Sequence, residues 1–360
     1  MDLLCRKTST RGGRRRDKRA PSRWLPALAV GLLWLAPSPA GADGLPFTIT
    51  TGARFGAFYG VANEYVYNQL LSPNYKNSQL VWPLAPMFFS GAALSFDSAF
   101  GLFATLDVRQ GFAGVAGTMT DSDFLNGDGV RTHYSQSSSY AERANLLDVR
   151  AGWDFLRDSG LKVGAFLAFS YMDLKWSARD GYYQYPTSGQ PYSGSGPTYV
   201  PGNLNPWSPS ETQTPIYGTG IIYETAYAGG SVGVRAGYAF SSILSIDGSF
   251  AFTPLLSAAT EDNHVARQLD FYSTLNGGFM IEPRVAVTWT FLAAASLRLE
   301  VGYRYAWNLR GDLTEVNTGT SDFSTSFPYI AGPNSSFTGT NDSGADFSAL
   351  DAGLVLSISL

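Results

Sequence analysis

The chain has 360 residues, 44% of them hydrophobic, and a formal net charge of −4 at pH 7. Gly (39), Phe (23) and Tyr (20) are abundant, while the mean hydropathy is near zero. This mixture is typical of strands with one apolar and one polar face, as in a membrane barrel. No segment after residue 42 has 18 consecutive apolar residues, which excludes helical membrane spans.

Residues 1–42 have the features of a signal peptide. Nine Lys and Arg residues precede the apolar run Trp24–Ala36, and small residues follow it. We therefore expect cleavage after Ala40 or Ala42. The run is too short to span a bilayer as a helix, which takes about 20 residues. A basic arm that binds nucleic acid is the alternative, but the apolar run directly after the arginines favours a signal peptide.

Removal of residues 1–42 changes the charge of the chain. It leaves 16 basic against 27 acidic residues, a net charge of about −11. Such a chain has no basic footprint for nucleic acid. The single cysteine, Cys5, is removed as well, so neither disulfides nor thiolate chemistry is expected in the mature protein.

The clearest strand pattern runs from Leu297 to Arg310. Every second residue from Leu297 to Leu309 is apolar, and the residues between them include Arg298, Glu300 and Arg304. Period-2 alternation indicates a strand with one face in an apolar medium. Fourteen residues is long for a soluble strand, which averages five or six, but suits a tilted strand that crosses a bilayer in about nine to eleven.

Similar segments recur along the chain at about 46–62, 83–97, 100–117, 140–156, 160–178, 216–240, 243–259, 268–290, 295–310 and 346–360. Short turns are expected near 97–100, 157–160, 240–243 and 291–295, and long polar loops at about 63–82, 118–139, 179–215, 258–268 and 311–345. Outer-membrane barrels alternate short periplasmic turns with long extracellular loops. The sequence therefore predicts an all-β protein, a ten-stranded antiparallel transmembrane β-barrel with long extracellular loops, formed by one domain over 43–360. Many barrels end in an aromatic residue, but this chain ends in Leu360.

Two polar pairs stand out in the expected loops. Asp262 and His264 are two positions apart, and so are Asp121 and Asp123. Residues at i and i+2 of an extended segment point to the same side. The loops after the third and seventh strands of a ten-stranded barrel rise from roughly opposite walls, so the two pairs are expected to face each other across the mouth. The alternatives for the aspartates are solvated loop residues or a calcium site.

These motifs and their order resemble the omptin family of outer-membrane proteases over nearly the whole mature chain. The segment Met119–Phe124 resembles the paired-aspartate motif of the family, and Asp262-Asn-His264 resembles its Asp-x-His motif. The flanking patterns that also match are Glu64-Tyr-Val-Tyr, Tyr140-Ala-Glu-Arg, Ala151-Gly-Trp and the segment 176–185.

The resemblance implies an aspartic-type endopeptidase without a covalent intermediate. His264, oriented by Asp262, would take a proton from a water held between it and the pair Asp121 and Asp123. No serine lies in a nucleophile-elbow pattern. We expect no metal and no cofactor, since two distant histidines supply too few ligands for zinc. His133 matches a family histidine, for which a packing or hydrogen-bonding role is expected.

The resemblance also implies a pocket for a basic side chain before the cut. Glu64 matches the first-loop glutamate of that pocket, but Thr260 stands where the family has an acid, and Glu261 is expected to replace part of the charge. The expected preference for Arg or Lys is therefore a loose one. Family members need lipopolysaccharide, for which Arg179 and Lys175 are the candidate ligands, although both could instead snorkel to the interface.

The expected partners are peptide or protein substrates, outer-membrane lipid and lipopolysaccharide, with no nucleic acid and with a monomeric chain. The expected location is the bacterial outer membrane, with the active site facing the cell exterior. The alternative function is a barrel without enzymatic activity, either a small porin or an adhesin that uses its loops.

Overall fold

The computed structural model describes residues 47–69, 71–72, 74–186, 188–194, 196–265, 267–318 and 336–360. The expected signal peptide, residues 1–42, lies outside them. The described chain forms eleven strands: β1 (Phe47–Asn68), β2 (Lys76–Ser98), β3 (Leu102–Gly111), β4 (Gly114–Asp123), β5 (His133–Asp158), β6 (Leu161–Gln184), β7 (Thr214–Ala239), β8 (Leu244–His264), β9 (Leu269–Leu292), β10 (Ala295–Asn317) and β11 (Ser336–Ser359). One 3₁₀ turn, Gly196–Thr198, lies between β6 and β7.

The strands form one antiparallel sheet that closes into a barrel. Closure follows because β1 pairs with β11 on one side and with β2 on the other. Both β3 and β4 pair with β2 and β5, and only Phe112 and Ala113 separate them. They are two halves of one barrel strand, so the ten-stranded barrel predicted from the sequence is confirmed. A closed barrel leaves no unpaired edge, which is what a lipid environment requires of a sheet.

The connections alternate in length as expected, but those at one end are shorter than the sequence indicated. The short turns are 99–101, 159–160, 240–243 and 293–294, and the other connections are 69–75, 124–132, 185–213, 265–268 and 318–335. The expectation of a long loop at 258–268 was wrong, since only four residues join β8 to β9. Backbone pairing extends the strands upward beyond the residues whose sequence alternates between apolar and polar.

This extension corrects the expected location of the candidate site residues. Asp121 and Asp123 belong to β4, Asp262 and His264 to β8, and Glu64 to β1, so none of them lies in a loop. The backbone of each is held in the sheet by its neighbours in register. A strand fixes the direction of a side chain more firmly than a loop does, which suits a preorganised site.

An apolar belt surrounds the lower part of the barrel on its outer face. Its large exposed side chains include Phe55, Tyr59, Leu102, Leu167, Val234, Leu255, Val287, Leu299, Tyr305, Leu350 and Leu354. Above the belt the outer face becomes polar, since the Asn63 amide donates to Asp346 Oδ1 at 2.6 Å and the Tyr65 hydroxyl donates to Asp346 Oδ2 at 2.8 Å. The upper strand ends therefore lie beyond the layer that lipid chains cover.

Among the described residues, no helix is long and apolar enough to cross a membrane.

The lumen is filled with side chains at the boundary between these two parts. Tyr223 stacks on Trp82, with ring centroids 5.5 Å apart, and on Trp176 at 5.9 Å, and each of the three is fully buried. Below them, paired arginines and carboxylates line the lumen; Arg109, for example, contacts Asp107 at 2.9 Å and Asp351 at 3.1 Å. A cavity of about 510 Å³ lies in this lower half. The aromatic layer therefore forms a floor beneath the upper half.

Candidate active site

Asp262 and His264 point into the lumen from the last residues of β8. His264 Nε2 lies 2.7 Å from Asp262 Oδ2, and only 8% of His264 and 4% of Asp262 is exposed. The His264 ring also packs edge-on against Phe271 of β9, with centroids 5.0 Å apart. The carboxylate and the aromatic ring hold the imidazole in one orientation.

Asp121 and Asp123 point inward from the end of β4. Asp121 is buried, and the Ser78 hydroxyl donates to its Oδ1 at 3.4 Å. Burial raises the pKa of Asp121 well above its usual range, and the charge of Asp123 raises it further. Asp121 therefore favours its neutral form, as expected when two acids share a poorly solvated place.

The two pairs lie close enough to interact, and Glu64 of β1 completes the acidic group. The charge of Asp262 contributes to the raised pKa of Asp121. Burial also raises the pKa of Glu64 well above its usual range, followed by the charge of Asp262, with a smaller effect from Asp121. Trp82 Nε1 donates to Glu64 Oε2 at 3.4 Å. Four acids and one histidine thus converge above the aromatic floor.

Thr260 and Glu261 lie on opposite faces of β8. Thr260 is buried on the same inward face as Asp262 and His264, and pairs in register with Thr225 of β7. Glu261 pairs in register with Tyr272 of β9 and points away from the lumen. The pKa of the Tyr272 hydroxyl is raised by burial, then by the charges of Asp270 and Glu261. The expectation that Glu261 replaces the missing acid at Thr260 is therefore wrong, because side chains alternate along a strand.

Arg267, Tyr185 and His133 border the aspartate pair and received no catalytic or binding role from the sequence. Arg267 Nη2 donates to the Tyr185 hydroxyl at 3.2 Å, and the Tyr185 ring packs on His133 with centroids 4.6 Å apart. His133 pairs in register with Asp123. Burial lowers the pKa of His133 and raises that of Tyr185 to about 12. The sequence signal that could have indicated a role for Arg267 is its position three residues after the histidine of the Asp-x-His motif.

The two candidate lipopolysaccharide ligands lie near the upper end of β6, away from the acidic group. Lys175 Nζ is 3.3 Å from Glu224 Oε2. Arg179 forms an ion pair with Glu142, and its guanidinium lies over the Tyr140 ring at 4.6 Å from the centroid. Both cations are thus partly neutralised by acids.

Comparison with known proteins agrees with this architecture. The family model described as the Omptin family matches residues 45–338. The outer membrane protease OmpT from Escherichia coli superimposes with a TM-score of 0.72 at 16% identity, covering 89% of this chain and 100% of OmpT. The translocator domain of the autotransporter NalP from Neisseria meningitidis matches with a TM-score of only 0.29 at 10% identity, covering 91% of this chain and 93% of that one. No curated protein sequence matches at a significant level. Because the family model covers most of its length, the chain belongs to the Omptin family of bacterial outer-membrane proteases.

Proposed function

We propose that this outer-membrane protease is an aspartic-type endopeptidase that cleaves peptides and proteins at the cell surface. In this proposal, the water that attacks the peptide bond is activated between the pair Asp262 and His264 and the pair Asp121 and Asp123. The observation that carries the proposal is the convergence of both pairs, from β8 and β4, in the upper half of the lumen above the aromatic floor.

The contact between Asp262 and His264 supports a role for the histidine as general base. With Nε2 hydrogen-bonded to Asp262, the imidazole leaves Nδ1 as the nitrogen that accepts the proton of water. The carboxylate then stabilises the imidazolium that forms. Asp262 thereby acts on the reaction through His264.

The different environments of Asp121 and Asp123 support different roles for the two acids. The raised pKa of Asp121 favours a protonated carboxyl that donates a hydrogen bond to the substrate carbonyl as it gains negative charge. Asp123 would hold the attacking water as an acceptor. The tetrahedral intermediate then collapses when His264 returns its proton to the leaving amine, and no bond to the enzyme forms.

Glu64 and Thr260 are proposed to bind the substrate side chain before the cut. Both are buried and point into the lumen, and the aromatic floor lies beneath them. Glu64 is the acid proposed to bind the basic side chain, because Glu261 faces outward and Thr260 is neutral. We therefore propose a preference for Arg or Lys that is loose and depends on the ionisation of Glu64.

We further propose that the chain acts as a monomer, with the site on the cell exterior and with lipopolysaccharide as activator. The short turns at the opposite end of the barrel support this orientation, since outer-membrane barrels place such turns in the periplasm. Arg179 and Lys175 would release Glu142 and Glu224, their acidic partners, and bind the lipid phosphates instead. Unchanged activity after removal and readdition of lipopolysaccharide would contradict the requirement.

The function is tested by refolding the mature chain, adding lipopolysaccharide and supplying a mixed peptide library. We expect cleavage by the wild type and almost none by His264→Ala, with Asp121→Asn intermediate. No cleavage by the wild type, or equal cleavage by all three proteins, would favour an adhesin or a porin. The layer of buried aromatic side chains across the lumen argues against a porin. Conductance in planar bilayers is the independent measurement.

A further inference from the structure

Arg267 is held beside the aspartate pair by contacts at both ends of the residue. Its backbone N–H donates to the His264 carbonyl at 3.0 Å, which fixes the turn between β8 and β9. Its guanidinium donates to the hydroxyl of Tyr185 at 3.2 Å. Tyr185 in turn packs on His133, the register partner of Asp123. The cation is therefore placed on the same side of the site as Asp121 and Asp123.

The guanidinium keeps hydrogen-bonding capacity for a ligand. It forms no ion pair with any carboxylate in the described part of the chain, although its charge acts on Asp121 and Asp123. A guanidinium has five N–H donors in a planar fork that matches a carboxylate. The hydrogen bond to Tyr185 uses one of them, and part of the residue is exposed.

The charge around Arg267 is less negative than four acids would indicate. Burial and neighbouring charges raise the pKa of both Glu64 and Asp121, which favours their neutral forms. Tyr185 carries no negative charge that would cancel the cation, because burial raises its pKa. Burial lowers the pKa of His133, which favours its neutral form. An acidic substrate residue would therefore meet the partly exposed cation of Arg267 here.

We propose that Arg267 is a specificity-determining residue that binds the carboxylate of an Asp or Glu next to the cleaved bond. This acidic residue would lie on the opposite side of the bond from the residue that enters the Glu64 pocket. The inference rests on the proposed protease function and narrows its substrate class to sequences with an acidic residue beside the cut.

The test uses refolded full-length mature protein and peptides that differ only in the residues flanking the cleaved bond. Glu, Gln or Lys is placed at each flanking position in turn, and kcat/KM is measured for every peptide. At the position after the cleaved bond, we expect the wild type to cleave the Glu peptide about ten-fold faster than the Gln peptide, the effect of one charge-assisted hydrogen bond. The Lys peptide should be slower still at that position.

Variants of Arg267 separate a direct contact from a structural role. Arg267→Gln should bring the ratio of Glu to Gln cleavage to about one, and this ratio is the readout because the charge of Arg267 also acts on Asp121 and Asp123. Arg267→Lys should keep most of the preference, and Arg267→Glu should reverse it towards Lys. The matched control is Arg310→Gln, because Arg310 lies on the outer wall over the Tyr67 ring, and it should preserve the wild-type ratio.

A ratio of Glu to Gln cleavage that is the same in wild type and Arg267→Gln would overturn the inference and leave the protease function intact. An equal loss for both peptides is such a result, and it would mean that Arg267 only shapes the turn. Failure of the wild type to cleave any peptide would instead overturn the protease function, and this inference with it.

Discussion

Replacing Asp262 with Asn removes the charge that stabilises the imidazolium while keeping the size of the side chain. The two groups are 2.7 Å apart and almost fully buried, so solvent screens their interaction little. Removing one partner of a buried charge pair costs about 3–5 kcal/mol. Because Asn still accepts a hydrogen bond, we take the lower value of about 3 kcal/mol, which corresponds to about a 150-fold loss in kcat/KM at 1.36 kcal/mol per factor of ten.

The assay is cleavage of a fluorogenic peptide at saturating lipopolysaccharide by wild type and Asp262→Asn. The matched control is Asp270→Asn, since Asp270 pairs in register with Asn263 and lies on the outer face at the same height. This control should stay within about two-fold of the wild type, as expected for a site away from the chemistry. A loss below about five-fold for Asp262→Asn, or an equal loss in the control, would refute the role given to Asp262.

Three further predictions concern specificity, the aspartate pair and stability. The pKa of Glu64 lies above its ordinary value of 4.5, so Glu64 is neutral at low pH and ionises as the pH rises. The ratio of kcat/KM for Arg peptides to kcat/KM for Ala peptides should therefore rise with pH above 4.5 in the wild type. In Glu64→Gln this ratio should not change with pH. Asp121→Asn keeps an N–H donor and should lose less kcat than Asp121→Ala; equal losses would contradict a hydrogen-bond donor at this position. Arg109→Ala should cost about 3–5 kcal/mol in the unfolding free energy in detergent, because it leaves buried carboxylates unpaired, whereas exposed Lys162→Ala should change it by less than about 0.5 kcal/mol.

The barrel was predictable because its lower half meets lipid. Each strand there alternates apolar outward residues with polar or small inward ones, as from Leu297 to Leu309, and this pattern specifies ten crossing strands and their connections. The upper strand ends face water on the outside, so the alternation disappears although backbone pairing continues. Asp121 and Asp262 were therefore assigned to loops, while the structure places them in strands.

The sequence spacing of the acidic residues predicted which of their side chains share a face. It did not predict which other residues surround them. Two residues at i and i+2 share a face in any extended segment, which correctly placed Asp262 with His264 on one side. The same rule, applied to a strand, would have put Glu261 on the outer face opposite Thr260. The contact of Arg267 with Tyr185 joins residues 82 positions apart, and no local pattern encodes such a contact.

If the two pairs act as one catalytic site, a double-mutant cycle will show that their effects on the reaction depend on each other. The kcat/KM of one peptide is measured for wild type, Asp121→Ala, His264→Ala and the double variant. Groups that act on the same water lose their effects together, so we expect the double variant to be about as slow as the slower single variant. A double variant slower by the product of the two single losses, or single variants as active as the wild type, would contradict this expectation.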